Sequence, residues 1–214
     1  MQQLSKTLAV ILGEKLKADQ EQIEIFAYSL EVLLGTVLEI FSIIFLAFLM
    51  NIEATTTVCL LVFSSIRFFG GGVHSSTYLK CLFTGNILLL SLGKLATLPI
   101  SQGLLNSMCL FALLLGIYAL IRWIPAGTEK KVITDEPTRL KQKKKVSLLL
   151  VFWFVATGLF LKYQVDAYAL AIILGIMSSL FLISPLGYGA IKTLDKSINK
   201  FLILFFGKEV KIDV

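Results

Sequence analysis

Long apolar runs separated by short polar connections dominate the chain. Each run is continuously apolar and does not alternate with polar residues, which favours membrane-spanning helices over the strands of a barrel. The pattern predicts an all-α integral membrane protein with six transmembrane helices, at about Ser29–Met50, Ala54–Phe69, Leu82–Ile100, Leu104–Ile124, Val146–Leu161 and Ala167–Leu186.

The two ends of the chain show a different pattern, with charged and apolar residues mixed at helical spacing. Residues 1–28 and 187–214 are therefore predicted to be amphipathic helices on the membrane surface. For the N-terminal segment, a short soluble helical cap is an equally good interpretation. Together with the six-helix bundle at 29–186, these segments predict a single membrane domain.

Charge predicts the orientation of the helices. The chain is 57% hydrophobic and carries a net charge of +6, which indicates contact with anionic lipid and no nucleic-acid partner. If both termini are cytoplasmic, eighteen of the twenty Lys and Arg residues lie on that side. Lys162 stays outside and Lys94 lies within the third segment. By the positive-inside rule, we expect a multi-pass membrane protein with both termini cytoplasmic.

Side chains that could take part in catalysis cluster in Arg67–Cys81, where the second apolar segment gives way to the third. This stretch holds the single histidine, His74, one of three cysteines, Cys81, and the run Gly70–Gly72. A thiol and an imidazole are the parts of a cysteine-nucleophile enzyme. The other cysteines lie inside apolar runs, where a thiol usually packs. No C-x-x-C motif occurs, so we expect no metal and no cofactor.

The spacing of His74 and Cys81 sets a geometric condition on this site. Seven residues are two helical turns, about 10 Å in a straight helix, which is too far for a hydrogen bond. The chain must therefore bend between them, and the glycines allow that freedom. Cys81 begins an apolar segment, so the helix dipole and the neighbouring Lys80 favour its thiolate.

Further site candidates surround this pair. Arg67 is a candidate for binding a substrate oxygen, although a charge that sets topology explains it slightly better. Gly71, Gly72 and Ser75 are candidates for substrate contact. Glu39, deep in the first segment, is a candidate for orienting His74 or pairing with Lys94. A transporter or channel that uses Glu39 and Lys94 is the alternative function, and a membrane scaffold or sensor is a third.

Cations are dense between Pro125 and Lys145. The simplest interpretation is a topology signal and lipid contact. The functional interpretation is a docking surface for an acidic peptide. The candidates for that surface are Lys130, Lys131, Arg139 and Lys141.

Several motifs together resemble the accessory gene regulator B (AgrB) family. The first is Arg67-x-x-x-Gly71-Gly72-x-His74-Ser75, with Cys81 seven residues after the histidine. The segment 124–131 resembles the family's Ala-Pro-Ala-Asp-Thr-Glu stretch, with Gly127 in place of the usual aspartate. Arg139-Leu140-Lys141 and Ser147 also fit. The resemblance covers roughly Tyr28 to Pro185.

The resemblance implies an endopeptidase of the bacterial cell membrane that processes quorum-sensing propeptides of the AgrD type. Cys81 is expected to be the nucleophile and His74 the general base. The peptide's acidic tail leaves, its acyl group stays on Cys81 as a thioester, and an internal cysteine or serine closes a thiolactone or lactone ring. Small residues such as Gly35 and Gly175 are compatible with a homodimer, because they let membrane helices approach closely.

Overall fold

A computed structural model describes residues 2–126 and 135–206; for residue 2 and residues 201–206 it describes the helical backbone alone. The described residues form helices joined by short connections and one isolated parallel bridge between Gly71 and Ala126. The helices are α1 Gln2–Leu16, α2 Gln20–Leu49, α3 Glu53–Gly70, α4 Tyr78–Ala96, α5 Gln102–Arg122, α6 Glu136–Lys162, α7 Asp166–Ile183 and α8 Pro185–Phe206. The predicted all-α class is confirmed for the described residues.

Five of these helices are long and apolar enough to cross a membrane, namely α2, α4, α5, α6 and α7. Helix α3 corresponds to the second predicted segment but falls outside this group. Large apolar side chains such as Phe41, Phe83 and Ile121 are about two-thirds exposed, as lipid-facing residues of a bundle would be. A sixth crossing by α3 and the cytoplasmic placement of the termini stay predictions.

The chain divides into two compact units between Leu46 and Ala47. The first contains α1 and most of α2. The predicted amphipathic segment 1–28 is interrupted, because Asp19 accepts from Gln22 N at 2.8 Å while its own N–H donates to Gln22 Oε1 at 3.3 Å. This reciprocal capping box starts a new helix. Residues 20–28 therefore belong to the long α2 and are not part of a separate surface helix.

Helices α3 and α7 run side by side through the middle of the second unit. Helix α3 also contacts α4 and α6, while α5 and α8 pack on α7. The approach of α3 and α7 is close because Gly175 has no side chain where a Cβ would meet Val62 Cβ at 2.9 Å. Gly175 therefore serves packing within the chain.

The central position of α3 explains its weaker hydropathy. Two of its hydroxyl-bearing residues bond to neighbouring helices. Thr55 Oγ1 donates to the carbonyl of Gly93 in α4 at 2.9 Å, and Ser65 Oγ accepts from Trp153 Nε1 of α6 at 3.0 Å. Such bonds are favourable inside a membrane bundle, because each polar group needs a partner there.

Candidate functional site

The glycine run ends α3 and redirects the chain. Gly71 and Gly72 have φ angles of +75° and +119°, values that residues with a side chain rarely adopt. A Cβ on Gly71 would collide with the carbonyl oxygen of Ala126, and one on Gly72 with the Arg67 guanidinium and the Leu182 carbonyl. These two positions therefore require glycine twice over, for backbone conformation and for space.

Two remote elements hold the redirected chain. Ala126 N, just after α5, donates to Gly70 O at 2.8 Å and forms the parallel bridge with Gly71. Val73 N donates to Leu182 O, near the end of α7, at 3.3 Å. We call residues 71–77, which contain the predicted base His74, the catalytic loop. It replaces helix between His74 and Cys81, so the bend that their spacing required is confirmed.

Arg67 lies under the catalytic loop and contacts His74. Its Nη1 donates to Leu182 O at 3.4 Å, its Nη2 donates to Val73 O, and Nη2 lies 3.4 Å from His74 Nε2. Because a guanidinium only donates, this last contact assigns the lone pair to Nε2 and the proton to Nδ1. Arg67 thus supports the loop and faces the imidazole at the same time.

The environment favours the neutral form of His74. Removal of water by the surrounding protein, and then the positive charge of Arg67, lower the pKa of His74 from 6.5 to about 4. His74 is nevertheless exposed at the surface, so the Arg67 contact is the firmer of the two causes. A neutral imidazole at neutral pH can accept a proton, although this setting makes it a weak base.

Cys81 occupies the first turn of α4. Thr77 is the N-cap and its side chain accepts from Lys80 N at 3.5 Å, while Cys81 N donates to Thr77 O at 3.1 Å. Its thiol is half-buried. The predicted position near a helix N-terminus is confirmed, and there the positive end of the helix dipole favours a thiolate. A direct His74–Cys81 dyad stays a prediction.

Three polar residues that the sequence did not single out together also meet at the loop. Ser76 N donates to Asp195 Oδ2 of α8 at 2.8 Å. Ser76 Oγ accepts from Lys80 Nζ at 2.9 Å, and Lys80 is buried with 8% of its surface exposed. Asp195 is the single acid of α8, among several lysines, and this contrast is the one sequence signal that could have drawn attention to it.

An open cavity of about 500 Å³ lies next to the loop's anchor points. It shares Ala126 with the bridge to Gly71, and its Ile183 is the residue that a Cβ on Gly70 would touch at 3.0 Å. Its wall combines one cation with aromatic rings and prolines. The lining residues are Arg122, Trp123, Pro125, Ala126, Ile183, Pro185 and Tyr188.

The remaining predicted residues have different positions. Glu39 lies half-buried in α2, and Lys94 is exposed in the last turn of α4. Ser75 lies half-buried in the catalytic loop. Arg139 and Lys141 are exposed on the first turns of α6, whereas Lys130 and Lys131 lie outside the described residues. Roles for all of them stay predictions.

Comparison with known proteins identifies the family. The family model described as Accessory gene regulator B matches residues 5–183. Two proteins of Clostridium perfringens named as AgrB-like, one from strain SM101 / Type A and one from strain 13 / Type A, are 25% and 24% identical over 213 residues. Each alignment covers 94% of this chain and 100% of the relative. No solved structure gives a significant match. The chain belongs to the accessory gene regulator B family.

Proposed function

We propose that the protein is a membrane cysteine endopeptidase that removes the tail of an AgrD-like propeptide and joins the remaining acyl group into a ring. Membership in the AgrB family supports a role in quorum-sensing peptide processing by a multi-pass membrane protein. The observation that carries the enzymatic proposal is the catalytic loop. It connects the single histidine to a cysteine at the head of α4, and it is tied to Ala126 just after α5, to α7 and to α8.

The first half of the reaction forms a thioester. The Cys81 thiol gives its proton to His74, and the thiolate attacks the carbonyl carbon of the scissile peptide bond. The tetrahedral intermediate collapses, the C–N bond breaks, and the amine of the tail leaves with the proton from the imidazolium. The signal portion of the propeptide remains on Cys81 as an acyl group.

The second half transfers that acyl group within the peptide. An internal thiol or hydroxyl of the propeptide loses its proton to His74 and attacks the thioester carbonyl. The Cys81–acyl bond breaks, the sulfur of Cys81 recovers the proton, and a thiolactone or lactone is released. Exclusion of water would protect the acyl-enzyme from hydrolysis during this step.

Arg67 is suited to a role in charge stabilisation. A guanidinium next to the base opposes the build-up of imidazolium, as the lowered pKa of His74 indicates. If the developing oxyanion of the substrate draws the guanidinium away from Nε2, that opposition weakens just as proton transfer requires it. The proposed role is thus oxyanion contact that also frees His74.

The surroundings of the site suit a peptide with an acidic tail. The cavity next to the loop offers Arg122 together with Trp123 and Tyr188. Arg139 and Lys141 lie exposed at the start of α6 and extend the positive charge. Because these cations share one end of the helices with the catalytic loop, we propose that the site faces the cytoplasm of a bacterial cell.

The test uses purified protein in lipid nanodiscs mixed with its propeptide. We expect mass spectrometry to find the signal portion attached to Cys81, and Cys81→Ala and His74→Ala to abolish tail cleavage while the protein still inserts. The matched control is Cys59→Ala, since the Cys59 thiol is buried in α3 and bonds the Ala171 carbonyl. Cleavage by Cys81→Ala at the wild-type rate would exclude the proposal.

A further inference from the structure

The C-terminal helix α8 contributes a carboxylate that bonds the backbone of the catalytic loop. Asp195 Oδ2 accepts the backbone N–H of Ser76 at 2.8 Å across 119 positions of sequence. Ser76 lies two residues after His74 and five before Cys81. A bond at this residue therefore constrains where both reacting side chains can lie.

Ser76 also accepts a hydrogen bond through its side chain. Lys80 extends its buried amine back to Ser76 Oγ at 2.9 Å, one helical turn earlier. Ser76 is thus held through its backbone by a carboxylate and through its hydroxyl by an ammonium. Hydrogen bonds with a charged partner are shorter and stronger than neutral ones, so this pair is well suited to fix a loop.

Among the described residues, Asp195 Oδ1 is buried and has no hydrogen-bond partner. Leaving such an oxygen unsatisfied disfavours the folded state. The carboxylate lies on α8, which begins at Pro185, beyond the residues 5–183 that match the family model.

We propose that Asp195 is a positioning residue of the peptidase, holding the catalytic loop through Ser76 so that His74 and Cys81 keep their reactive geometry. The inference rests on the proposed function. It assigns α8 a part in the reaction that lies beyond membrane contact. Because Asp195 contacts the backbone of the loop and no reacting atom, its effect reaches the chemistry only through that loop.

The experiment compares Asp195→Ala with Asp195→Asn in nanodiscs, using the propeptide and measuring kcat and KM for tail cleavage. We expect Asp195→Ala to lower kcat by about 10- to 100-fold, the loss typical of a small misplacement of reacting groups, while KM changes less than about threefold. Asp195→Asn keeps an oxygen acceptor for Ser76 N, so we expect it to restore kcat to within about threefold of wild type.

Asp166 provides a matched control at the other end of α7. Its Oδ2 accepts from Gln102 Nε2 at 2.7 Å, and its Oδ1 is also buried without a partner. Asp166→Ala therefore removes a similar carboxylate far along the chain from the loop. We expect it to shift the thermal unfolding midpoint as Asp195→Ala does, and to leave kcat within about threefold of wild type.

Three results would overturn the inference: equal kcat for Asp195→Ala and Asp166→Ala, an Asp195→Asn variant as slow as Asp195→Ala, or a loss confined to KM. If Asp195→Ala does not fold, Asp195→Ser replaces it, since its shorter side chain also withdraws the acceptor. Failure of the proposed function is separate, because wild-type protein would then cleave no propeptide or would cleave without Cys81.

Discussion

The two ends of the second unit are built differently. At one end, the links between α2 and α3, α4 and α5, and α6 and α7 are short turns with local bonds. Asn51 takes a left-handed φ of 55°, and Ser101 caps α5 by accepting from Leu104 N at 3.4 Å. At the other end, the catalytic loop is bonded to Ala126 just after α5, to α7 and to α8.

The turns that only connect helices are thus stabilised by local bonds, whereas the loop with the proposed catalytic residues is stabilised by remote ones. A turn stabilised by its own residues needs little from the rest of the protein, and most of its substitutions are expected to act on stability alone. A loop fixed by distant carbonyls and by a carboxylate on another helix has its conformation set by the whole fold. Functional groups often lie on such loops, because a rigid scaffold can then aim them.

The largest contrast is expected between glycines at the two ends. Gly71→Ala and Gly72→Ala place a side chain at positive φ and against the Ala126 carbonyl or the Arg67 guanidinium. We expect each to lower tail cleavage at least about 100-fold by displacing His74. Gly103→Ala in α5 meets nothing within 4 Å and should stabilise that helix by up to about 1 kcal/mol.

Cleavage rates and thermal unfolding midpoints of the three variants check this contrast. The Gly103→Ala protein controls for the general effect of an added methyl group in a membrane helix. If Gly71→Ala cleaved at the wild-type rate, the catalytic loop would not depend on this backbone conformation.

A smaller effect is expected from the Arg67–His74 contact. We predict that His74 titrates at a pKa of about 4 instead of 6.5, and that Arg67→Gln raises this pKa by removing one of its two causes. Because the unfolded chain then binds the proton more readily, the contribution of His74 to stability is present above about pH 6.5 and is lost as the pH falls toward 4.

The protein has one histidine, so NMR of histidine-labelled protein reports this titration without assignment. Arg122→Gln, which removes a cation from the cavity wall, is the control for a general change of surface charge. A wild-type pKa near 6.5, or no rise in Arg67→Gln, would contradict the described contact.

The mildest test compares two helix caps. Thr77 caps α4 at the catalytic loop, and Ser101 caps α5 at the opposite end. Thr77→Ala and Ser101→Ala should each destabilise the protein by about 1 kcal/mol. Only Thr77→Ala should also slow cleavage, by about three- to tenfold, since Cys81 lies in the helical turn that this cap begins.

Stability from thermal unfolding and rate from propeptide cleavage are measured on both variants. If the two variants lost similar stability and also cleaved the propeptide at similar rates, the reactivity of Cys81 would not depend on the cap of α4.

The sequence predicted helix boundaries well where apolar residues begin or end at a polar turn. It was less accurate for α6, which begins at Glu136 and not near Val146. The basic residues 139–145 are good helix formers, and Asp135 caps them by accepting from Thr138 N at 3.1 Å. A boundary taken from hydropathy stops where charge begins, although the helix itself continues.

The sequence by itself determined the all-helical class, the position of Cys81 at a helix start and the need for a bend after His74. These properties depend on neighbouring residues, namely apolar runs, glycines and spacing. Only the tertiary structure decided that α3 is central, that Arg67 faces His74, and that Asp195 bonds the catalytic loop. Partners as far apart in sequence as Ser76 and Asp195 are chosen by how helices pack, and no local pattern encodes that choice.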